Sequence, residues 1–203
     1  MNYLMVIILT GYLLDLIIGD PQWHWHPVRF IGRLIEKLEK KLNTGKFNQF
    51  RAGILLVVLT VGITVIFVWV SLQLARVIHP VFYYVYSAML IYFSLSMKSL
   101  ATESHKVYSA LRKGNLNAAR KDLSMIVGRD TDKLEENEIV RATVETVAES
   151  ITDGIVAPLF FAFLGGPVSA WAYKAINTLD SMVGYRSERF IEFGKASAKL
   201  DGW

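Results

Sequence analysis

The sequence predicts an all-α, multi-pass integral membrane protein with cytoplasmic helical segments and a broken membrane hairpin. Three observations carry this. The chain is 53% hydrophobic over 203 residues, with a mean hydropathy of +0.34, above the range of ordinary soluble domains. Residues 52–75 read AGILLVVLTVGITVIFVWVSLQLA without a charge, long enough to cross a bilayer. Finally, Glu145, Glu149 and Asp153 recur every fourth residue and lead into an apolar run, 155–164, that stops at Gly165-Gly166-Pro167. On a helix such residues share one face.

The first element is 3–18, YLMVIILTGYLLDLII, apolar except for Asp15. A secretory signal would need a basic start and a small-residue cleavage site. Met1-Asn2-Tyr3 and Gly19-Asp20-Pro21 supply neither, so the segment reads as a retained helix. Residues 20–51 are basic, with Ile31, Leu34, Ile35, Leu38 and Leu42 at a helical period opposite a charged face. That is an amphipathic helix for headgroups or for the rest of the protein. After the 52–75 span, Arg76 and His79-Pro80 end the helix. A third span, 81–97, is rich in Tyr and Phe, as interfacial belts are. The short connection makes the second and third spans an antiparallel hairpin.

Residues 98–150 read as a water-soluble helical region. Basic residues and Gly114 end its first helix. Asn117 is a candidate cap for a helix running to Val127 and ended by Gly128, and Asp130-Thr131 opens a loop. Glu135, Glu136 and Glu138 crowd the next helix start, where the dipole favours them. The Lys/Arg surplus of 20–51 places the N-terminus outside, with 20–51 and 98–150 together on the cytoplasmic side. The segment 151–182 then holds two short apolar halves around Gly165-Gly166-Pro167. Each is roughly half a bilayer long. A re-entrant hairpin is favoured over a bent single span, its broken backbone covered by protein or water. No internal repeat is visible.

Several function classes are excluded. There is no cysteine, so disulfides and thiolate catalysis are absent. The net charge of +4 is not gathered in one soluble patch, so nucleic acid is not the expected partner; the lipid bilayer is. Phosphate-binding glycine loops and Ser/His nucleophile signatures are lacking. What remains are carboxylates and cations. Glu145, Glu149 and Asp153 suit Mg²⁺, which takes one or two carboxylates plus phosphate oxygens and water; a solvated acidic face is the plainer alternative, above all for Glu145. Lys174, Asn177 and Asp180 sit at i, i+3 and i+6, with Arg186 and Arg189 beyond. They form an anion-binding and acid/base face unless Lys174 and Asp180 simply pair. Asp15, Gly19, Asp20, His26 and Arg29 make a second constellation. Asp15 lies within a span and needs a partner or a proton. His24 and His26 in a Trp-rich loop suit interfacial packing better than zinc. These residues describe a cytoplasmic carboxylate-and-cation site for phosphorylated or carboxylated ligands.

Four stretches resemble a known family. DLIIGDPQWHWHPVRFIGRLI at 15–35, GRDT at 128–131, ETVAESITDGIVAPLFFAFLGGP at 145–167 and YKAINTLDSMVGYRSERFIEFGKASAKLD at 173–201 are similar, in order, to motifs of the adenosylcobinamide-phosphate synthase (CobD/CbiB) family. Ser150 stands where family members usually carry Asn. Members also continue past Asp201 with further apolar helices, so this chain resembles a truncated member. The resemblance implies a ligase of cobalamin biosynthesis. It joins a propionate carboxylate of adenosylcobyric acid, a corrinoid, to (R)-1-aminopropan-2-ol or its O-phosphate. A carboxylate is a poor acyl donor, so the reaction implies ATP, an acyl phosphate and Mg²⁺. On that reading Glu149, Asp153 and Glu145 are the metal candidates. Asp180, Lys174 and His26 are the catalytic candidates, with Asp180 or His26 as base for the amine. Arg29, Asp20, Asn177, Arg186, Arg129 and Asp130 are the substrate-binding candidates. Expected partners are the two substrates, other cobalamin-pathway enzymes and further copies of the chain. A membrane carrier for an anionic ligand, with its site at a broken helix, and a non-catalytic anchor for corrinoid enzymes are the alternatives.

Overall fold

The structure is a computed structural model and describes residues 3–19, 26–45, 48–128, 130–184 and 190–201. Its elements, among those residues, are all helical: α1 (Tyr3–Ile18), α2 (Pro27–Leu42), α3 (Gln49–Ile78), α4 (Pro80–Tyr92), α5 (Met97–Arg112), α6 (Leu116–Ser124), α7 (Glu136–Ile151), a π-helical turn (Thr152–Val156), α8 (Ala157–Val183) and α9 (Lys195–Asp201). Three stretches, Gln49–Ile78, Pro80–Arg112 and Glu136–Val183, are long and apolar enough to cross a membrane, and Tyr3–Ile18 is a shorter apolar helix. Leu9, Leu13 and Ile17 on α1 and Val58, Ile66, Phe67 and Leu74 on α3 are exposed. An apolar face of that extent is what lipid covers in an all-α membrane protein.

α1, α3, α4 and α8 pack together as a bundle, with α4 against α1, α3 and α8. α1 and α4 approach closely because Gly11 has no side chain; a Cβ there would lie 2.7 Å from Ile91 Cγ2 and 2.8 Å from the Ala88 carbonyl. Small residues permit such approach where lipid removes the hydrophobic drive between helices. α2 is amphipathic and buries Ile31 and Ile35 against Leu56, Val57, Trp171, Ala175 and Leu179. Trp171 Nε1 donates to the Leu90 carbonyl at 2.8 Å, which ties α8 to the end of α4. α5, α6 and α7 form a second group with its own small core of Val107, Ala110, Leu123, Ile139 and Ala142.

Some boundaries differ from the sequence reading. The third apolar run was expected to be helical over 81–97, but α4 stops at Tyr92. The chain turns through Ser94 and Leu95, and α5 restarts at Met97 under an unusual cap. The Met97 N–H donates to Asp15 Oδ2 at 2.8 Å. Asp15 is fully buried, so this carboxylate in α1 caps a helix that begins 82 residues later. Lys98 Nζ meets the Ile17 carbonyl, and the Tyr92 hydroxyl donates to the Gly19 carbonyl at 2.5 Å. Asn115, not Asn117, caps α6, its side chain accepting from the Ala118 N–H at 3.0 Å. Gly114 turns the chain at φ +66, where the helix stop was expected, and α6 ends at Ser124 rather than Val127. Glu135 and Glu138 form a capping box on α7 as their crowding suggested.

The segment after Asp153 folds back. Gly165 (φ −149, ψ 23) and Gly166 (φ 67, ψ −154) leave helical geometry inside α8. The values at Gly166 fall in a region open essentially to glycine alone. Pro167 then starts the second arm with a φ already set for helix. Phe161 and Tyr173, on opposite sides of the break, stack at 5.1 Å. In one straight helix they would lie roughly 18 Å apart. The two arms are therefore an antiparallel hairpin. Its tip lies with Tyr3, Leu4, Arg76 and Pro80, level with the starts of α1 and α4. The arms thus reach the level at which those helices start.

Replacing Asp15 with Ala leaves the first N–H groups of α5 without their acceptor and a hole in a buried site. A loss of about 2 kcal/mol is expected, read as a lower midpoint in thermal unfolding of the detergent-solubilised protein; an unchanged midpoint refutes the capping role.

Candidate functional site

One cavity of about 540 Å³ lies where α7, the π turn and the second arm of α8 meet, with Glu145, Glu149, Asp153, Lys174, Asn177 and Ser181 in its wall. Two stripes build it. Glu145, Glu149 and Asp153 come from α7 and the π turn, and Lys174, Asn177 and Ser181 from the returning arm. Because the hairpin runs antiparallel, residues from 21 (Asp153 and Lys174) to 36 (Glu145 and Ser181) positions apart in sequence line the same cavity. The wall is completed by Ser96, Thr146, Ser150 and Gly154, and by Ile126 to Gly128 ahead of the GRDT turn.

The π turn sets the position of Asp153. The Ala157 N–H reaches back to the Thr152 carbonyl, which adds one residue to the turn. π insertions widen a helix locally and often occur at functional sites. Here the turn is held by Ser96: its N–H donates to the Gly154 carbonyl at 3.1 Å. A Cβ on Gly154 would overlap Ser96 Oγ. Asp153 is steadied from the other arm, where the Tyr173 hydroxyl donates to its Oδ1 at 3.2 Å. Arg141 and Glu145 pair at 2.7 Å on the exposed side of α7, so Glu145 is already engaged by a cation of its own helix.

A fourth carboxylate joins from the end of the chain. Asp201 sits at the close of α9 beside Asn177, whose side chain hydrogen-bonds it. Partial burial pushes its pKa up to about 6; the charges of Asp153, Asp180 and Glu149 push the same way, and the Asn177 hydrogen bond opposes them. Asp180 adds to this group of charges but is not in the cavity wall; its carboxylate turns towards Gly184.

The other candidates fall elsewhere. His26 is buried as the cap of α2, its Nδ1 accepting from the Val28 N–H at 3.3 Å, with its ring edge-on to Phe93 at 5.3 Å. Arg29 is exposed on α2, and neither residue lines the cavity. Asp130 is exposed and accepts from the Asp132 N–H at 3.0 Å, a local turn bond. Asp20, Arg129 and Arg186 lie outside the described residues. Ser96, Thr146, Ser150 and Asp201 were not anticipated. Thr146 and Ser150 follow Glu145 and Glu149 on the same helix, a signal that was available. Ser96 had none, since it arrives from 58 residues away.

No group of three or more His, Asp or Glu side chains at metal-binding distance occurs among the described residues. Magnesium needs less: one or two carboxylates, with the rest of its shell from phosphate and water. Glu149 and Asp153 on an open wall meet that requirement.

The fold and this cavity define an all-α membrane protein with a carboxylate-and-lysine site between a helix and the returning arm of a broken hairpin. The family described as "CobD/Cbib protein" matches residues 8–203, and the chain belongs to it. Similar curated relatives include "Cobalamin biosynthesis protein CobD" of Clostridium perfringens, 49% identical over 97% of this chain and 63% of its own length. The protein of the same name from Geobacter metallireducens is 50% identical over 96% of this chain and 61% of its own length. "Cobalamin biosynthesis protein CbiB" of Salmonella typhimurium is 49% identical over 94% and 61%. The chain thus spans about three fifths of these relatives. No solved structure matches.

Two outcomes follow from this geometry. Gly154→Ala should lower the unfolding midpoint by several degrees, and adding Ser96→Ala, which removes the overlapping hydroxyl, should restore most of it; simple additivity of the two changes would refute the contact. Asp201 is an acid whose folded pKa, about 6, lies above its ordinary 3.8. It favours folding while protonated, and that contribution is lost as pH rises from about 4 to about 6. Asp201→Asn should therefore gain stability relative to the parent protein across that window in melting curves at stepped pH. A constant difference would show that the carboxyl does not titrate there.

Proposed function

We propose that this chain acts in cobalamin biosynthesis, as the names of its relatives say of them. Its cavity would carry amide formation between a propionate carboxylate of adenosylcobyric acid and (R)-1-aminopropan-2-ol or its O-phosphate. The observation that carries the reading is the placement of Glu149 and Asp153 opposite Lys174 and Asn177 across one open cavity. Such a wall can hold an ammonium on one side and a phosphate or carboxylate on the other. The corrin ring is too broad to enter, so only its propionate arm would reach the carboxylates.

Amide formation needs the carboxylate oxygen to leave as something better than oxide, and ATP with Mg²⁺ would supply that by phosphorylating it. Glu149 and Asp153 would hold the magnesium. Lys174 would meet the anionic oxygens of the incoming group, and Asn177 would orient them. The amine arrives as an ammonium and must lose a proton before it attacks. A carboxylate of the Asp153, Asp180 and Asp201 group would accept it. The Tyr173 hydrogen bond and the π turn would fix Asp153 during this step.

The test incubates the purified chain, and in parallel a full-length relative, with adenosylcobyric acid, aminopropanol or its phosphate, and Mg-ATP, and reads the corrinoid mass. Asp153→Asn in the full-length protein is expected to lower turnover about 100-fold. Lys174→Met should raise KM for the phosphorylated amine more than for the free one. Full turnover in Asp153→Ala would overturn the metal role, and an unmodified corrinoid with the full-length protein would overturn the reaction.

A further inference from the structure

A second cavity, of about 700 Å³, lies at the opposite end of the helices from the site above, between the starts of α1 and α4, the end of α3 and the hairpin tip. We propose that it binds a phosphate ester, and that Arg76 is the residue that holds it. Arg76 is the one charged side chain in the wall, and no acid faces it there. Among the described residues Arg76 has no ion pair, and neither Gln73 nor the hydroxyls of Tyr3, Tyr83 and Tyr84 make a hydrogen bond. One guanidinium, one carboxamide and three phenol-bearing residues line a shared space, and among the described residues their donors have no partner. A guanidinium presents a fork of N–H groups that matches two phosphate oxygens. Phenol and amide donors complete the shell of such an anion.

The surroundings fit the edge of a bilayer. Trp69, Tyr3, Tyr83 and Tyr84 gather at this level, and aromatic residues of this kind concentrate where hydrocarbon meets headgroups. Tyr3 and Tyr84 pack at 5.5 Å and Tyr83 and Tyr84 at 5.6 Å, so three of the aromatic rings in the wall are in contact. The volume is within the range of small-ligand sites and takes a headgroup with its glycerol. The phosphate can come from an anionic phospholipid of the surrounding leaflet or from a soluble phosphate monoester. A simple snorkelling arginine would need neither the cavity nor the phenols.

The experiment places the full chain in nanodiscs of phosphatidylcholine alone or doped with phosphatidylglycerol. Native mass spectrometry reads retained lipid, and tryptophan fluorescence reads titrations with glycerol 3-phosphate. Retention of phosphatidylglycerol over phosphatidylcholine identifies the lipid source. Saturable quenching by glycerol 3-phosphate in the undoped discs identifies the soluble one. In either arm Arg76→Gln should weaken binding about tenfold and Arg76→Lys should recover part of it, while Arg112→Gln at the other end should change nothing. If Arg76→Gln does not assemble, the Gln73→Leu, Tyr83→Phe pair replaces it with the same expectation. Binding in neither arm overturns the site, as does equal loss in Arg112→Gln or undiminished binding in Arg76→Gln.

Discussion

The reversal at Gly165-Gly166-Pro167 is the constraint on which the rest of the structure depends. Without it, Asp153 and Tyr173 would lie roughly 30 Å apart along one helix. With it, they are joined by a hydrogen bond of 3.2 Å. The backbone at Gly166 excludes any residue with a side chain at little expense. Pro167 cannot continue the preceding helix and is well suited to begin a new one. A three-residue device thus converts two short apolar runs into a pair of arms, and the polar ends of those arms into the two walls of a cavity.

That cavity also shows how an acidic stripe becomes tolerable. Carboxylates four apart on one helix repel one another. Glu145 is offset by Arg141 on the outer face of α7. Asp153 lies on a π turn rather than a regular turn, opposite Lys174 and under the Tyr173 hydroxyl. Asp201 joins them partly buried, and that burial first, with the neighbouring charges adding to it, raises its pKa to about 6.

Much of this was legible in residue pattern. Uncharged length gave α3, the basic amphipathic period gave α2, and the Gly-Gly-Pro break with polar stripes on either side gave the hairpin and its facing residues. Those signals are local. The remainder depends on contacts far apart in the chain. Asp15 could be recognised as a buried charge requiring a partner, but not as a cap for Met97, because the partner is a backbone N–H 82 residues away. His26 was a candidate base only through the family resemblance; spacing did not show that, beside Pro27, it caps α2. The short reach of α4 was hidden because the apolar run continues through Leu95, where the chain turns so that Ser96 can bind the Gly154 carbonyl. Neither the place of Ser96 in the cavity wall nor the coupling of Asp201 to the nearby carboxylates could have been assigned from spacing at all.

The two cavities divide the polar chemistry of the molecule between its ends. Carboxylates dominate one, and a lone guanidinium among phenols the other. The same hairpin contributes to both, its arm ends to the first and its tip to the second. Between them the arms stack Phe161 on Tyr173 and bury Ala162 and Ala170. An occupant at the tip that moves the arms moves the wall of the carboxylate cavity with them. The rigid stack of Phe161 on Tyr173, and the bond from Tyr173 to Asp153, make one continuous path for such a movement. Physical coupling of this kind requires an element with two arrangements that both sites bias, and the glycine pair at the tip is the part of the hairpin with the backbone freedom to provide one.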